Sequence, residues 1–251
     1  MRKNLLKSRL AAGEAALNAW LCIPSALIAE AATQGGFDAV TIDMQHGMLD
    51  YAQAISMLQA ISIGPATPLA RPISSDPVQI MRLLDAGAYG VICPQVDTPE
   101  IAAACVAACR YPPAGARSMG SPRGMLYGGP DYMEKANDEI LVFVMIESRQ
   151  AVENLDAILD VKGIDGVFIG PNDLALSYGM KASSDPQGEV GEIIQKIRAA
   201  SAARNLASGI YCVDGDMCKK RIDQGFQLVN PGADLMMLQG AFQAHLQAAR
   251  R

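Results

Sequence analysis

The sequence predicts a (β/α)8 barrel, in which a closed parallel sheet is surrounded by helices. Three observations carry this prediction: eight short apolar runs, amphipathic segments between them, and a length of 251 residues, which is usual for one such barrel. Most of the runs are continuously hydrophobic, as expected of strands that are buried on both faces. The predicted strands are Ala19–Ile23, Phe37–Ile42, Thr67–Ala70, Gly90–Cys93, Ile140–Ile146, Gly166–Ile169, Ser208–Tyr211 and Phe226–Val229.

The main alternative to a closed barrel is an open, doubly wound sheet. No GxGxxG motif follows the first predicted strand, so the sequence does not support this alternative. The chain also shows no linker, repeat array or low-complexity tract. We therefore expect residues 1–251 to form a single barrel domain.

The first strand and helix lie in a segment that has features of a secretion signal. A basic N-terminus precedes a largely apolar stretch, residues 17–28. However, Asn18 and Pro24 interrupt this stretch, and the same residues fit a strand over Ala19–Ile23 and a helix over Ser25–Thr33. We therefore expect the segment to be part of the barrel.

The later helices are predicted from the spacing of apolar residues. Asp50 is a typical N-cap residue, and apolar side chains recur on one helical face from there to Ile61. A second such face spans Leu235 to Leu246. The segment from Tyr111 to Glu139 does not fit the repeat, because it is long and rich in Pro and Gly. Such a segment is typical either of a functional or partner-contacting loop or of a surface excursion.

Composition and charge exclude several classes of protein. Hydrophobic residues make up 50% of the chain, which argues against intrinsic disorder. The net charge is −5 and there is no dense Lys/Arg run, so we do not expect a nucleic-acid-binding protein. No apolar stretch reaches the roughly 18–20 residues of a membrane span. The six cysteines form no CxxC pair and are typical of reduced thiols, so we expect a cytoplasmic protein.

Polar residues follow several of the predicted strands at their carboxyl ends, where barrel enzymes place their active sites. His46 follows the second strand, Arg71 the third, Glu147 the fifth and Asp173 the sixth. Closing the barrel would bring these four side chains into one mouth. No lysine occupies such a position, which disfavours a Schiff-base mechanism and leaves a metal ion as the electrophile.

Glu147 and Asp173 are candidate ligands of a divalent metal ion. Two carboxylates leave most coordination positions to water and substrate, a pattern that suits Mg²⁺ or Mn²⁺ best and also admits Co²⁺ or Zn²⁺. A structural zinc site is not expected, because the chain has only two histidines and its cysteines lack ligand spacing. The alternative is that each carboxylate caps or pairs with the helix that it precedes.

His46 and Arg71 each allow two interpretations. A histidine at a strand end is a candidate general base, and a structural hydrogen bond is its alternative role. An arginine after an apolar strand needs an anion, either a substrate or developing enolate or a carboxylate inside the barrel mouth. His245, the other histidine, lies in the predicted last helix and is expected to face solvent.

The residues Gly170, Pro171, Asn172 and Asp173 lead from the sixth strand into a helix. These small residues would give access to backbone N–H groups at the start of the helix, a geometry that binds a carboxylate or phosphate. The same four residues are also typical of an ordinary turn and helix cap.

Several separated blocks of the sequence resemble, in the right order, the HpcH/HpaI family of class II pyruvate aldolases, which includes 4-hydroxy-2-oxoheptanedioate and 2-keto-3-deoxy-sugar-acid aldolases. The blocks are GFDAVTIDMQHG (36–47), LLDAGAYGVICPQVDTPE (83–100), RYPPAGARSMG (110–120) and NLDAILDVKGIDGVFIGPNDLALSYG (154–179), together with Glu147 at a strand end. The resemblance runs from about Leu17 to the last helix and implies a (β/α)8 barrel. It also implies a homo-oligomer, commonly a hexamer, whose last helix packs on or is swapped with a neighbouring subunit.

The resemblance also implies roles for individual residues. His46 would be the general base, Asp85 would partner it and raise its basicity, and Arg71 would stabilise an enolate. The two carboxylates described above would hold the metal ion. The backbone amides around Asn172 and Asp173 would bind the pyruvate carboxylate.

Three positions depart from the family pattern. Met145 stands two residues before Glu147, where family members usually carry Gln. Gln45 stands where Glu is common, and Asn172 where a smaller residue is common. These differences bear on the preferred substrate more than on the type of reaction.

The resemblance and the residues together predict the reversible cleavage of a 4-hydroxy-2-oxo acid to pyruvate, or hydroxypyruvate, and an aldehyde. An alternative on the same site is decarboxylation of an oxaloacetate-like acid, or lysis of an acyl-CoA ester as in citrate-lyase-type barrels. Coenzyme A would need a basic entry groove, for which Arg117 and Arg123 are the candidates. A non-catalytic ligand-binding barrel is the remaining alternative, and Met145 is the one feature that favours it.

Overall fold

The computed structural model describes residues 1–250, and its eight strands form a closed parallel barrel in sequence order. Each strand pairs with the next one along the chain, and β1 also pairs with β8. The predicted (β/α)8 architecture is therefore confirmed. The strands are β1 (Ala16–Leu21), β2 (Ala39–Asp43), β3 (Thr67–Arg71), β4 (Gly90–Cys93), β5 (Leu141–Ile146), β6 (Gly166–Ile169), β7 (Ala207–Cys212) and β8 (Leu228–Pro231).

Helices connect the strands and surround the barrel. Asp50 caps its helix as predicted: its Oδ1 accepts a hydrogen bond from the Gln53 amide at 2.9 Å, and Gln53 Oε1 accepts one from the Asp50 amide at 2.7 Å. Within residues 1–250, no helix has the length and apolar character needed to cross a membrane. The helices are α1 (Leu5–Ala11), α2 (Ala26–Gln34), α3 (Tyr51–Ile61), α4 (Pro77–Asp85), α5 (Pro99–Cys109), α6 (Pro122–Gly128), α7 (Tyr132–Glu139), α8 (Arg149–Glu153), α9 (Leu155–Leu159), α10 (Pro171–Ser177), α11 (Glu189–Ala202), α12 (Gly215–Asp223) and α13 (Asp234–Ala249).

The predicted strand ends were least accurate for β1 and β8. β1 stops at Leu21 because the next two amides, of Cys22 and Ile23, donate to the carboxylate of Asp234 at 2.8 and 3.1 Å. β8 starts later than predicted because the amide of Phe226 closes the end of α12 and does not join the sheet. The N-terminal segment that has features of a secretion signal forms β1 and α2 of the barrel, as expected.

The buried core has two parts, separated by the barrel wall. Outside the wall, the outward-facing side chains of the strands pack against the helices. Inside it, alternate strand residues fill the barrel, and Leu6 and Leu10 of α1 pack against its amino-terminal end. The same alternation directs Asp43, Arg71 and Met145 into the carboxyl end of the barrel. The largest side chains inside the barrel are Trp20, Leu69, Ile92, Leu141, Phe143, Phe168 and Leu228.

The Pro/Gly-rich segment 111–139 is more ordered than a loop, because it contains α6 and α7. It joins the end of α5 to the start of β5 and therefore lies at the amino-terminal end of the barrel. The fully buried Arg117 anchors it by donating from Nη2 to Asp85 Oδ1 at 2.9 Å. Within one chain, the segment thus lies at the end opposite to the predicted active site.

The last helix, α13, has no buried residue. It is attached at its first residue, Asp234, whose carboxylate binds the amides that follow β1. His245 is exposed on this helix, as predicted. Six large apolar side chains on α13 are 39% to 58% exposed, namely Leu235, Met236, Met237, Leu238, Phe242 and Leu246. An apolar surface of this kind is typical of an interface.

Candidate active site

A cavity of about 450 Å³ opens at the carboxyl ends of the strands, and we call it the mouth cavity. His46, Arg71 and the segment 170–173 all line it, as the barrel topology predicts. Glu147 lies directly against Gly170, one of the lining residues. The other lining residues are Trp20, Cys22, Asp43, Met145, Phe168, Ser184, Tyr211, Val213, Ala233 and Met236.

Asp43, the last residue of β2, organises the polar side of the mouth cavity. Its carboxylate is 1% exposed and accepts hydrogen bonds from Arg71 Nε at 2.8 Å and Arg71 Nη2 at 2.5 Å. It also accepts hydrogen bonds from Trp20 Nε1 at 3.2 Å and from the amides of Gln45 and His46 at 3.0 and 3.3 Å. Burial alone would raise the pKa of Asp43, but the hydrogen bonds and charge of Arg71 outweigh burial and lower it. Asp43 is therefore a stable carboxylate.

The turn after β2 places His46 at the edge of the mouth cavity. The amide of His46 is tied to Asp43, while its side chain is exposed and lines the cavity. The turn is so tight that a Cβ added at Gly47 would lie 2.1 Å from the carbonyl oxygen of Asp43. Only glycine fits there. A base on this turn is fixed through its backbone and can still reach a substrate.

Arg71 has one guanidinium nitrogen available for a substrate. The side chain is 8% exposed, its Nε and Nη2 are paired with Asp43, and its guanidinium lies 4.8 Å from the centre of the Trp20 ring. The remaining nitrogen, Nη1, contacts Met145 Sδ at 3.9 Å, and a thioether is a weak acceptor. The salt bridge predicted as one alternative is therefore present, and it leaves Nη1 without a strong acceptor.

Glu147 is a buried carboxylate that reaches the mouth cavity from the end of β5. It is 6% exposed, and its Oε1 accepts a hydrogen bond from the amide of Gln95 at 2.8 Å. A Cβ added at Gly170, the residue after β6, would lie 2.6 Å from Glu147 Oε2, so a larger residue there would displace the carboxylate from its observed position. Burial raises the pKa of Glu147 to about 7, with the Gln95 amide opposing this shift and the charge of Asp173 adding to it.

Asp173 completes a two-carboxylate arrangement. It lies exposed in the first turn of α10 and lines the mouth cavity. Residues 1–250 contain no cluster of three His, Cys, Asp or Glu side chains that could hold a metal ion. An ion held by Glu147 and Asp173 would therefore take its other ligands from water or substrate. That donor set of carboxylate oxygens fits a hard divalent ion.

The pairing of Asp85 with His46 is not formed within one chain. Asp85 is the last residue of α4 and lies near the amino-terminal end of the barrel, whereas His46 follows the carboxyl end of β2. The carboxylate of Asp85 pairs instead with Arg117, at 2.9 Å. The role that the resemblance implies for Asp85 would require an Asp85 from another copy of the chain.

The rest of the lining of the mouth cavity is largely apolar and aromatic. Trp20 stacks on Phe168, with ring centroids 5.3 Å apart, and meets Tyr211 edge-on at 5.9 Å. Val213 and Met236 also line this side. The cavity thus has a polar side built from β2, β3, β5 and α10, and an apolar side built mainly from β1, β7 and α13.

Sequence reasoning missed two residues that shape the polar side, Asp43 and Gln95. The alternation of β2 could have identified Asp43, because Ala39, Thr41 and Asp43 occupy alternate positions and Ala39 packs inside the barrel. No pattern in the sequence identifies Gln95, because its backbone rather than its side chain contacts Glu147.

The fold and the mouth cavity define a (β/α)8-barrel enzyme whose polar site lies at the carboxyl ends of its strands. The family model for HpcH/HpaI aldolase/citrate lyase matches residues 17–241. The chain belongs to this family, and the resemblance drawn from its sequence is confirmed.

Named relatives agree with this assignment. A hydroxypyruvate/pyruvate aldolase from Rhizorhabdus wittichii is 42% identical over 239 residues, which cover 95% of each chain. A 4-hydroxy-2-oxo-heptane-1,7-dioate aldolase from Escherichia coli is 38% identical over 245 residues, which cover 96% of this chain and 93% of that protein. The protein is therefore an aldolase-type enzyme, a carbon–carbon lyase.

Solved structures show the same relationship. An HpcH/HpaI aldolase/citrate lyase family protein from Burkholderia cenocepacia superposes with a TM-score of 0.94 at 32% identity, covering 99% of this chain and 100% of that one. A citrate lyase β subunit from M. tuberculosis is more distant: its TM-score is 0.56 at 16% identity, covering 88% and 92% of the two chains. This second likeness is one of fold alone.

Replacing Asp43 should destabilise the protein strongly. Asp43→Asn leaves the buried guanidinium of Arg71 without its counter-charge, and removing one partner of such a pair typically costs about 3–5 kcal/mol. Urea denaturation measures the change in the free energy of unfolding. Asp138→Asn, at an exposed position, is the control and should change it little. Equal stability of the two variants would contradict the role given to Asp43.

Replacing Glu147 should stabilise the metal-free protein in a pH-dependent way. The pKa of Glu147 rises from 4.5 to about 7 on folding, so the folded state loses stability as pH rises through this range, by roughly 3 kcal/mol in total. Below pH 4.5 both states are protonated and the penalty disappears. Glu147→Gln should therefore raise the melting temperature in EDTA at pH 8, and by much less at pH 5. The exposed Glu153→Gln is the control, and a pH-independent effect of Glu147→Gln would contradict the prediction.

Proposed function

We propose that this enzyme is a divalent-metal-dependent aldolase that reversibly cleaves 4-hydroxy-2-oxo acids to pyruvate, or hydroxypyruvate, and an aldehyde. The observation that supports this most directly is that His46, Arg71, Glu147 and Asp173 meet at one cavity. The names of the relatives that share almost the whole chain point to the same reaction.

In this proposal, Glu147 and Asp173 hold the metal ion. Carboxylate oxygens suit Mg²⁺ or Mn²⁺ best, and Co²⁺ and Zn²⁺ are alternatives. When bound, such an ion supplies positive charge next to the 2-keto oxygen of the substrate. The backbone amides around Asn172 would bind the substrate carboxylate, a role supported by the absence of a side-chain cap at the start of α10.

His46 and Arg71 carry out the proton transfer and the charge stabilisation. His46 takes the proton of the 4-hydroxyl group while the C3–C4 bond breaks, and C4 leaves as the aldehyde carbon. The electrons of that bond form the enolate of pyruvate. Arg71 Nη1, which faces only a weak acceptor in this structure, donates a hydrogen bond to the developing oxyanion. Protonation of the enolate at C3 completes the cleavage.

The apolar side of the cavity is the proposed place for the carbon chain of the aldehyde. The catalytic groups occupy the polar side, so the remaining space lies against Tyr211, Val213 and Met236. These side chains offer apolar area and one phenol group. The proposal assigns selection of the aldehyde to this side.

We also propose that the enzyme is a homo-oligomer, a hexamer if it follows the family resemblance, in which α13 packs on or is swapped with a neighbouring subunit. The exposed apolar face of α13 supports this proposal. The position of Asp85 supports it as well, because Asp85 could reach a His46 only in another copy of the chain.

The acyl-CoA alternative has no support from the structure. It relied on Arg117 and Arg123 as a basic groove for coenzyme A. Arg117 is fully buried, and Arg123 donates to the carbonyl groups of Ala86 and Leu58. Both arginines lie at the amino-terminal end of the barrel, whereas the mouth cavity lies at the carboxyl end. Decarboxylation of an oxaloacetate-like acid would use the same polar side of the mouth cavity. The assay must therefore distinguish decarboxylation from aldol cleavage.

Removing the metal should abolish activity. Protein stripped with EDTA should neither cleave a 4-hydroxy-2-oxo acid nor exchange the methyl protons of pyruvate in deuterated buffer, and Mn²⁺ or Mg²⁺ should restore both activities. Proton NMR follows the exchange, and a coupled assay follows pyruvate release. Equal rates with and without EDTA would contradict the metal-dependent mechanism. Release of CO₂ in step with pyruvate would indicate a decarboxylase, and absence of exchange with metal present would indicate a non-catalytic barrel.

Replacing His46 should impair chemistry and leave metal binding intact. A general base contributes about 10²–10⁴-fold to the rate, so His46→Ala should lower kcat by about this factor. The Kd for Mn²⁺, measured by electron paramagnetic resonance, should stay unchanged because His46 is not a proposed ligand. His245→Ala, at an exposed position on α13, is the control. Full activity of His46→Ala would exclude His46 as the base.

A further inference from the structure

We infer that Gln95 is a positioning residue for the proposed metal site. Its backbone amide, aimed by a left-handed backbone conformation, fixes one oxygen of Glu147 and leaves the other oxygen for a divalent cation. This inference deepens the proposed function and depends on it, because it concerns Glu147 as a metal ligand.

The backbone conformation of Gln95 is unfavourable for its residue type. Its φ is +53°, in the left-handed region that residues with a side chain rarely adopt. Within residues 1–250, the only other non-glycine residue with positive φ is Asn205, at +57°. Asn tolerates this region better than Gln does. The side chain of Gln95 is exposed, so its packing does not account for the conformation.

This backbone conformation directs the amide of Gln95 towards the carboxylate of Glu147. The amide of Gln95 donates to Glu147 Oε1 at 2.8 Å. It is the one hydrogen-bond donor to this carboxylate among residues 1–250. Strained backbone that persists next to a buried functional group is typical of a site that needs pre-organisation.

The loop that carries Gln95 is held on both sides, which keeps the unfavourable conformation in place. Before it, the carbonyl oxygen of Pro94 accepts a hydrogen bond from the Ser75 hydroxyl. After it, the carboxylate of Asp97 accepts one from the Ser148 hydroxyl, and the Asp97 carbonyl oxygen accepts one from Asn154 Nδ2 at 2.8 Å. The loop is therefore tied to the turn that follows Glu147.

The hydrogen bond determines which oxygen of Glu147 is free. Oε1 is occupied by the amide of Gln95, while Oε2 lies against Gly170 at the start of the segment that carries Asp173. Groups that orient a ligand in this way typically contribute 10- to 100-fold to metal affinity, as an order of magnitude.

The test is the Kd for Mn²⁺ of the full-length protein without substrate, measured by electron paramagnetic resonance. Gln95→Gly keeps the amide and removes the side chain, so it should bind Mn²⁺ as the wild type does. Gln95→Val strongly disfavours the left-handed region because Val is β-branched, so its Kd should rise about 10- to 100-fold. Asn205→Val imposes the same backbone conflict in the turn before β7, far from the cavity. This matched control should lower the melting temperature and leave the Kd unchanged.

Each outcome separates this inference from the proposed function. If Gln95→Val binds Mn²⁺ as tightly as Asn205→Val does, the positioning role of Gln95 is wrong while the metal site stands. If Gln95→Gly binds Mn²⁺ more weakly than the wild type, the side chain of Gln95 matters and the inference is overturned. This outcome can be observed even if Gln95→Val does not fold. If the wild type binds no Mn²⁺, or Glu147→Gln binds it normally, the proposed metal site itself is wrong.

Discussion

The ion pair between Asp43 and Arg71 is the interaction on which the polar side of this enzyme depends. The two residues stand opposite each other in register at the ends of β2 and β3, so the sheet itself brings them together. A buried guanidinium needs a carboxylate partner, and this carboxylate also accepts the Trp20 indole N–H and the His46 amide. One side chain thereby fixes the relative positions of three strand ends. The positions of the His46 backbone and of the Arg71 guanidinium follow from it.

Two buried carboxylates at one end of the barrel behave differently because their neighbours differ. Asp43 has an arginine beside it, which lowers its pKa and satisfies its charge within the protein. Glu147 is buried, with one backbone amide as its hydrogen-bond donor and a second carboxylate nearby, and its pKa is raised. The first carboxylate is structural, and the second is the one that we propose as a metal ligand.

The sequence allowed the barrel and several polar residues of its mouth to be predicted, because both follow from local patterns. The strand Gly90–Cys93 was predicted with its observed ends, since it is a short continuous apolar run between turn residues. The end of β1 was not predicted correctly, because the amides that follow it bind Asp234, more than two hundred positions further along the chain. The partner of Asp85 is likewise a distant residue, Arg117. Contacts between residues that are far apart along the chain leave no periodic pattern in the sequence.

The division of the mouth cavity into two sides has a consequence for how such enzymes diversify. The side that contains Asp43 and Arg71 tolerates little change, because these two buried side chains are paired with each other. On the other side, the hydroxyl of Tyr211 makes one weak contact, to Met236 Sδ at 3.9 Å, so exchanging these two residues removes no hydrogen bond to the reacting groups. New leaving groups can thus be acquired by natural variation while the bond-breaking step is inherited unchanged. One ancestral barrel can in this way give rise to a set of catalysts that differ in what they release.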